Sequence, residues 1–134
     1  MLERDLSNQI IRSFYKVYNT LGYGFLEKVY ENALYLELIN NGIYVKKQCP
    51  VQVYYDGTIV GNYYADIIVE DKIILELKSA STMAPEHEYQ LINYLKATEI
   101  EVGILLNFGK EPQFSRKIFT NDRKGVKRNT DDAD

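Results

Sequence analysis

The chain has 134 residues, of which 46% are hydrophobic and 26% are charged, and its formal net charge is −3. This length and composition predict one globular domain without internal repeats. No apolar run approaches the length of a membrane span and the charged N-terminus lacks a signal-peptide core, so we expect a cytoplasmic protein that does not contact a membrane. The single cysteine, Cys49, excludes an internal disulfide and a cysteine-based zinc site.

Charge is distributed unevenly along the chain. Residues 1–109 hold nine Lys or Arg and fourteen Asp or Glu, a net charge of −5, whereas residues 110–128 hold seven and two, a net charge of +5. The basic stretch is suited to phosphate contacts, although a solubilising tail would have the same composition. We predict a single domain over residues 1–120 and a charged, flexible tail over residues 121–134.

Three segments have the apolar spacing of amphipathic helices. The first covers residues 4–19, and two glycines separate it from a second helix over residues 25–40. Gly42 is suited to the C-terminal cap of the second helix. Pro85 fits the first turn of a third helix over residues 85–97.

The remaining segments predict strands. Short strands are expected near residues 44–48, 51–55 and 58–60, followed by a hairpin of residues 63–69 and 73–78. The apolar run 102–107 predicts a buried strand, reached from strand 73–78 by a right-handed crossover and therefore parallel to it. An edge strand is expected around residues 114–119. The predicted fold class is α/β, with a central mixed sheet flanked by helices.

The hairpin contains the most informative residues of the sequence. If Glu70-Asp71-Lys72 forms its loop, Val69 pairs with Ile73 and Asp66 falls opposite Glu76. Side chains alternate between the two faces of a strand, which predicts one entirely apolar face. That face consists of Ala65, Ile67, Val69, Ile73, Leu75 and Leu77. The other face carries the ionisable groups and three further side chains: Asp66, Glu76, Lys78, Tyr64, Ile68 and Ile74.

The opposed carboxylates predict a metal site. Their Cβ atoms would lie about 5 Å apart, which allows both to bind one divalent cation. Lys78 adds a positive charge on the same face, and the combination is suited to phosphodiester cleavage. The alternative is an amphipathic hairpin with incidental surface charges. It accounts poorly for Ile68 and Ile74, because such residues belong on a covered surface.

The third helix places polar side chains next to this strand. His87, Gln90, Leu91 and Tyr94 share one helix face, where they could orient a water or contact a phosphate. The alternative is that Leu91 and Tyr94 pack while the other two are simply exposed. Tyr64 could stack on a base, although aromatic residues in strands more often pack.

The motifs together resemble a known family. Asp66, Glu76-Leu77-Lys78 and Gln90-x-x-x-Tyr94 resemble the strand-hairpin-helix core of the PD-(D/E)xK nuclease superfamily, whose fold is restriction-endonuclease-like. The segment from Gly24 to Tyr30 is similar to the G-x-x-E-x-x-Y signature of the GxxExxY proteins within it. The resemblance covers roughly residues 5–110. Ala65 stands where the superfamily has proline, and this difference removes no metal ligand.

The resemblance implies a metal centre of Mg²⁺ or Mn²⁺. Asp66, Glu76 and the backbone carbonyl of Leu77 would be its ligands. Glu27, on the second helix, would supply a further ligand or hold a coordinated water. Tyr30 would pack, and Gly24 would meet a backbone requirement at the helix start.

The resemblance also implies roles in the reaction. Lys78 would orient or help to deprotonate the attacking water and stabilise charge on the phosphate. Gln90 would position water or substrate, and His87 is a candidate phosphate or water contact. Tyr94 would mainly support its helix against the sheet.

The predicted function is divalent-metal-dependent hydrolysis of nucleic acid, with DNA favoured over RNA by analogy. One alternative is a nucleic-acid-binding or partner-regulating module that keeps the fold without turnover. The other is a structural or interaction protein. A chain of this size has little surface for gripping a duplex, so a homodimer or a partner protein is also expected.

Overall fold

The computed structural model describes residues 1–125. The order of elements is α1 (Arg4–Leu21), α2 (Glu27–Asn40), β1 (Val45–Tyr55), β2 (Thr58–Val69), β3 (Ile73–Lys78), α3 (Pro85–Lys96), β4 (Val102–Phe108), β5 (Pro112–Ile118) and a 3₁₀ turn (Asn121–Arg123). Within this part of the chain, no helix has both the length and the apolar character needed to cross a bilayer.

The three predicted helices are confirmed to within two residues at each end. Helix α1 buries Ile10, Phe14 and Val17 at helical spacing, as the sequence pattern predicts. After α2, Gly42 has a φ of 79°, a backbone conformation that glycine adopts without strain.

The sheet is mixed and has the strand order β1-β2-β3-β4-β5. Strands β3 and β4 are parallel, as the predicted crossover requires, and the other neighbouring pairs are antiparallel. Val69 pairs with Ile73, so the predicted hairpin register is confirmed. Strand β5 lies at the sheet edge, as expected.

The prediction of several short strands before the hairpin is wrong. Residues 45–55 form one long strand and residues 58–69 form another, joined by a turn in which Asp56 and Gly57 both have positive φ. Pro50 lies within the first of these strands. It is tolerated because β1 is an edge strand, where proline need not donate to a neighbour.

Two apolar clusters cover the two faces of the sheet. One lies against α1 and α2 and includes Ile67 and Leu75. The other lies against α3 and includes Ile74 and Ala65. The predicted placement of Ala65 on the face of Ile67 is therefore wrong.

The cause is a change of face halfway along the β1–β2 hairpin. Gln48 has a φ of 52°, and Gln48 and Asp66 are the positions missing from the pairing between Val45 and Val53. Lys47 and Gln48 both contact α2, through Asn32 and Glu31 respectively, although successive strand residues normally point to opposite faces. Beyond this irregularity the hairpin packs against α3.

The ordered structure extends beyond residue 120, where the predicted tail begins. The backbone N–H of Asn121 donates to the Glu101 carboxylate at 2.7 Å. The Lys124 ammonium donates to the carbonyls of Thr98 and Ile100 at 2.9 and 3.0 Å. The predicted flexibility of residues 126–134 lies outside the described part of the chain.

Gly109 allows a close approach of two loops beside the end of β3. A Cβ atom at this position would lie 2.2 Å from the carbonyl oxygen of Ala80, which is held in turn by the buried side chain of Asn107. We expect Gly109→Ala to lower the free energy of unfolding by about 2 kcal/mol, because the backbone must shift. Urea denaturation measures this, with Gly125→Ala as the control because its Cβ would meet open space. Equal stabilities would contradict the prediction.

Candidate active site

The site lies where strands β2 and β3 separate. Their backbone pairing ends at Ile67–Leu75, one residue before Asp66 and Glu76. The Asp66 N–H donates to Oε2 of Glu76 at 2.9 Å, and the Leu77 N–H donates to Oδ2 of Asp66 at 2.8 Å. Each carboxylate thus accepts from a backbone N–H of the neighbouring strand, in place of a backbone carbonyl. These two hydrogen bonds hold the acids close together where the strands separate.

The two carboxylates are costly to ionise in this position. Glu76 is 5% exposed, and burial, followed by the charge of Asp66, raises its pKa to about 8. Burial also raises the pKa of Asp66, with the charge of Glu31 adding to it, while the Leu77 N–H and Lys78 act in the opposite direction. A buried acid beside a half-buried one, both with raised pKa values, is a common mark of a functional site.

The chemistry of this pair fits a divalent cation. One oxygen of each carboxylate, Oδ1 of Asp66 and Oε1 of Glu76, accepts no hydrogen bond within residues 1–125 and remains available. Hard oxygen ligands of this kind suit Mg²⁺ or Mn²⁺. Within the same residues, no three Asp, Glu, His or Cys side chains form a complete metal site, so Glu27 is not gathered with this pair.

Lys78 ends β3, two residues beyond Glu76. Its ammonium has no hydrogen-bond or ion-pair partner in the described chain, yet its charge lowers the pKa of both Asp66 and Glu76. It is therefore near the carboxylates and free to bind a further anionic group.

Helix α3 places the predicted polar residues beside the pair. The Gln90 amide donates to the Tyr94 hydroxyl at 3.0 Å, and Tyr94 is 5% exposed within the apolar cluster under α3. Burial, followed by the negative charges of Glu76 and Asp66, raises the pKa of Tyr94 to about 12. His87 lies on the same helix face, and its Nδ1 is buried without a hydrogen-bond partner within the residues that the structure describes.

Tyr63, and not Tyr64, faces α3. The rings of Tyr63 and Tyr94 are 5.9 Å apart, and alternation along β2 places Tyr64 on the opposite face. The predicted placement of Tyr64 on the active face is wrong because it assumed regular alternation through Asp66, where the hairpin changes face.

The motif around Glu27 has a structural component. Tyr30 is fully buried, stacks on Phe108 at 4.4 Å and donates its hydroxyl to the Gly22 carbonyl at 2.6 Å. Gly24 has a φ of 113°, so the predicted backbone requirement is confirmed. Glu27 itself begins α2 and is exposed.

Glu31 is an acidic residue near the site that the sequence analysis missed. It is 5% exposed and accepts hydrogen bonds from the Gln48 amide at 3.2 Å and from Lys28 at 3.2 Å. Its charge raises the pKa of both Asp66 and Glu76, whereas Glu27 acts on Asp66 less strongly than Glu31 does. The available signal was its spacing, because Glu31 lies one turn after Glu27.

The chain matches one family and resembles two solved structures. The sequence profile of the PD-(D/E)XK nuclease superfamily matches residues 4–118. The chain is similar to a protein described as SSO0001, with a TM-score of 0.57 and 18% identity, over 90% of this chain and 62% of that one. It is also similar to an alkaline exonuclease (LHK-Exo) from Laribacter hongkongensis, with a TM-score of 0.51 and 17% identity, over 71% and 55% of the two chains. The search of curated proteins finds no match.

These comparisons establish the fold. The chain spans less than two thirds of the length of either solved structure. Its five-stranded mixed sheet and three flanking helices have the restriction-endonuclease-like α/β fold, which confirms the predicted fold class. At the level of the superfamily, the match supports hydrolysis of nucleic-acid phosphodiesters, generally with a divalent metal. The chain belongs to the PD-(D/E)XK nuclease superfamily.

Proposed function

We propose that this protein hydrolyses phosphodiester bonds in nucleic acid with Mg²⁺ or Mn²⁺, and that DNA is its substrate. The observation that carries the proposal is the pair formed by half-buried Asp66 and buried Glu76, whose carboxylates have no cationic partner within hydrogen-bonding distance in the described part of the chain. The adjacent free ammonium of Lys78 supports it. We also place the protein in the GxxExxY branch, in the cytoplasm, and expect it to act as a homodimer or with a partner protein.

Asp66, Glu76 and the backbone carbonyl of Leu77 are the proposed metal ligands. Bound between them, the cation would lower the pKa of water and polarise a phosphoryl oxygen. The Asp66 and Leu77 N–H groups each hold one oxygen of a carboxylate, Oε2 of Glu76 and Oδ2 of Asp66 respectively. These hydrogen bonds fix the orientation of both carboxylates, and the second oxygen of each is left for the cation. Glu27, which is not grouped with the pair within residues 1–125, is proposed to contribute from the start of α2 by holding a coordinated water.

Lys78, Gln90 and His87 act on the substrate in this proposal. The Lys78 ammonium orients the attacking water and stabilises the negative charge that develops on the phosphate. Within residues 1–125 the amide carbonyl of Gln90 accepts no hydrogen bond, because only its N–H group is used by Tyr94, and the carbonyl can accept from water or substrate. His87 supplies a water or phosphate contact from the same helix face.

The direct test is cleavage of labelled single-stranded and duplex DNA and RNA with added Mg²⁺ or Mn²⁺. We expect DNA cleavage that stops with chelator and is absent from Asp66→Ala purified in the same way. Equal activity in both proteins would identify a contaminant and contradict the proposal. If Mn²⁺ binds by calorimetry but no substrate is cut, the non-catalytic module is favoured. If Mn²⁺ does not bind, the metal site is wrong.

Substitution of Glu31 tests how the acidic residues of α2 contribute to metal binding. We expect Glu31→Gln to weaken Mn²⁺ binding about tenfold, because its buried charge lies close enough to act on both carboxylates. Glutamine can still accept from Gln48, so the fold should persist. Calorimetric titration at constant pH measures the change, with Glu27→Gln as the matched comparison. A larger loss in Glu27→Gln would instead make Glu27 the principal contributor from α2.

A further inference from the structure

A cavity of about 790 Å³ lies between α3 and the far half of the β1–β2 hairpin. We call it the tyrosine pocket, because five tyrosines contribute to its walls: Tyr54, Tyr55, Tyr63, Tyr89 and Tyr94. Its volume is within the usual range for small-molecule sites. The pocket exists because the hairpin changes face at Gln48 and packs over α3.

Two of these tyrosines have exposed rings that protein packing does not require. Tyr55 is 71% exposed and Tyr89 is 65% exposed, and they approach the pocket from the hairpin and from α3 respectively. Aromatic surface that remains exposed in a concave site marks a binding surface more often than packing. Flat aromatic faces of this kind stack on nucleobases without regard to sequence.

The pocket is poorly suited to a phosphate backbone. Among its lining residues, Glu86 and Lys96 are the acidic and basic side chains, and their charges cancel. A surface that follows phosphates needs several Lys or Arg side chains. His87 also lines the pocket, and its buried Nδ1 has no hydrogen-bond partner among residues 1–125.

The pocket adjoins the proposed active site through two residues of α3. Gln90 and Tyr94 line it, and they are joined by a hydrogen bond of 3.0 Å. Tyr94 is also close enough to Asp66 and Glu76 to be affected by their charges. A nucleic-acid strand with a phosphate at the carboxylates would therefore place a neighbouring nucleotide in the tyrosine pocket.

We propose that the tyrosine pocket binds unpaired bases of a single-stranded DNA segment, with Tyr55 and Tyr89 stacking on them. This inference rests on the proposed function, because it assigns the form of substrate that enters the same site. A base-paired duplex cannot fill the pocket unless a base leaves the stack. The enzyme would accordingly prefer single strands or frayed ends to continuous duplex.

The test measures binding in chelator, where no metal-dependent cleavage takes place. Fluorescence anisotropy would compare a labelled oligonucleotide as a single strand and as a blunt duplex. We expect the single strand to bind at least tenfold more tightly. Tyr55→Ala and Tyr89→Ala should each weaken single-strand binding roughly tenfold, as base–aromatic stacking predicts. Tyr44→Ala is the matched control, because Tyr44 is 54% exposed and lies before β1, at the opposite end of the hairpin.

Three results of the binding and oligomer measurements would overturn the inference, and a fourth would come from the cleavage assay. These are equal affinity for single strand and duplex, equal losses in Tyr44→Ala and Tyr55→Ala, or a wild-type dimer that dissociates in Tyr55→Ala. The last would mean that a second copy covers the pocket. Binding in chelator does not depend on turnover, so the pocket and the nuclease activity can be tested separately. Cleavage that is unaffected by Tyr55→Ala and Tyr89→Ala would contradict base binding in the tyrosine pocket but not the proposed nuclease activity. Tyrosine-dependent single-strand binding without cleavage would contradict the proposed nuclease activity but not base binding in the tyrosine pocket.

Discussion

Lys78→Met is expected to lower the rate of metal-dependent cleavage by about a thousandfold while leaving Mn²⁺ binding intact. The Lys78 ammonium has no hydrogen-bond or ion-pair partner within residues 1–125, so its removal breaks no structural contact of the described chain. Its positive charge lowers the pKa of both Asp66 and Glu76. Removing that charge therefore removes its repulsion of a cation bound at the carboxylates.

Single-turnover cleavage and calorimetric Mn²⁺ titration together check this result. Lys72→Met is the matched control, because Lys72 lies in the exposed loop between β2 and β3, away from the carboxylates. A variant that binds Mn²⁺ and cuts at the wild-type rate would remove Lys78 from the reaction. A variant that loses Mn²⁺ binding would show that Lys78 supports the metal site instead.

The register of the β2–β3 hairpin could be predicted because its determinants are local. Three polar loop residues and the alternation of apolar side chains fix Val69 opposite Ile73, and the structure confirms that pairing. The same local information brings Asp66 and Glu76 together. The parallel strand β4 could also be predicted, because an apolar run that follows a strand and a helix can join the sheet in few ways other than a right-handed crossover.

The change of face at Gln48 could not be predicted from the same information. A positive φ in a glutamine is uncommon, and nothing in the residues around it signals a break in alternation. Its consequences reach Ala65 and Tyr64, each of which was assigned by assuming a regular strand. One irregular residue thus redirects the far half of the hairpin and creates the tyrosine pocket.

Glu31 was missed for a different reason. On α2, Glu27 and Glu31 lie on the same helix face, and only tertiary packing distinguishes the exposed residue from the buried one. The Gln48 side chain, which donates to both oxygens of Glu31, is positioned by the same irregularity in β1. The burial of Glu31 therefore depends on a contact between residues 17 positions apart.

Glu76→Gln is expected to abolish Mn²⁺ binding and to make the metal-free protein more stable than wild type at pH 8. The folded state holds the proton of Glu76 up to about pH 8, whereas the ordinary pKa of the group is 4.5. Between these values the folded state binds more protons than the unfolded state, so wild-type stability falls as pH rises. Glutamine removes this loss, and its side-chain carbonyl can still accept from the Asp66 N–H.

Urea denaturation in chelator at pH 5 and pH 8 measures the effect. The stability of Glu76→Gln should exceed that of wild type by a few kcal/mol at pH 8 and by little at pH 5. Adding Mn²⁺ at 100 times its Kd should stabilise wild type by about 2.7 kcal/mol and leave Glu76→Gln unchanged. Parallel pH profiles for the two proteins would mean that Glu76 is ionised at little cost in the fold. The carboxylate pair would then lack the uncompensated charge on which the proposed metal site depends, and the case for a nuclease would rest on the family match alone.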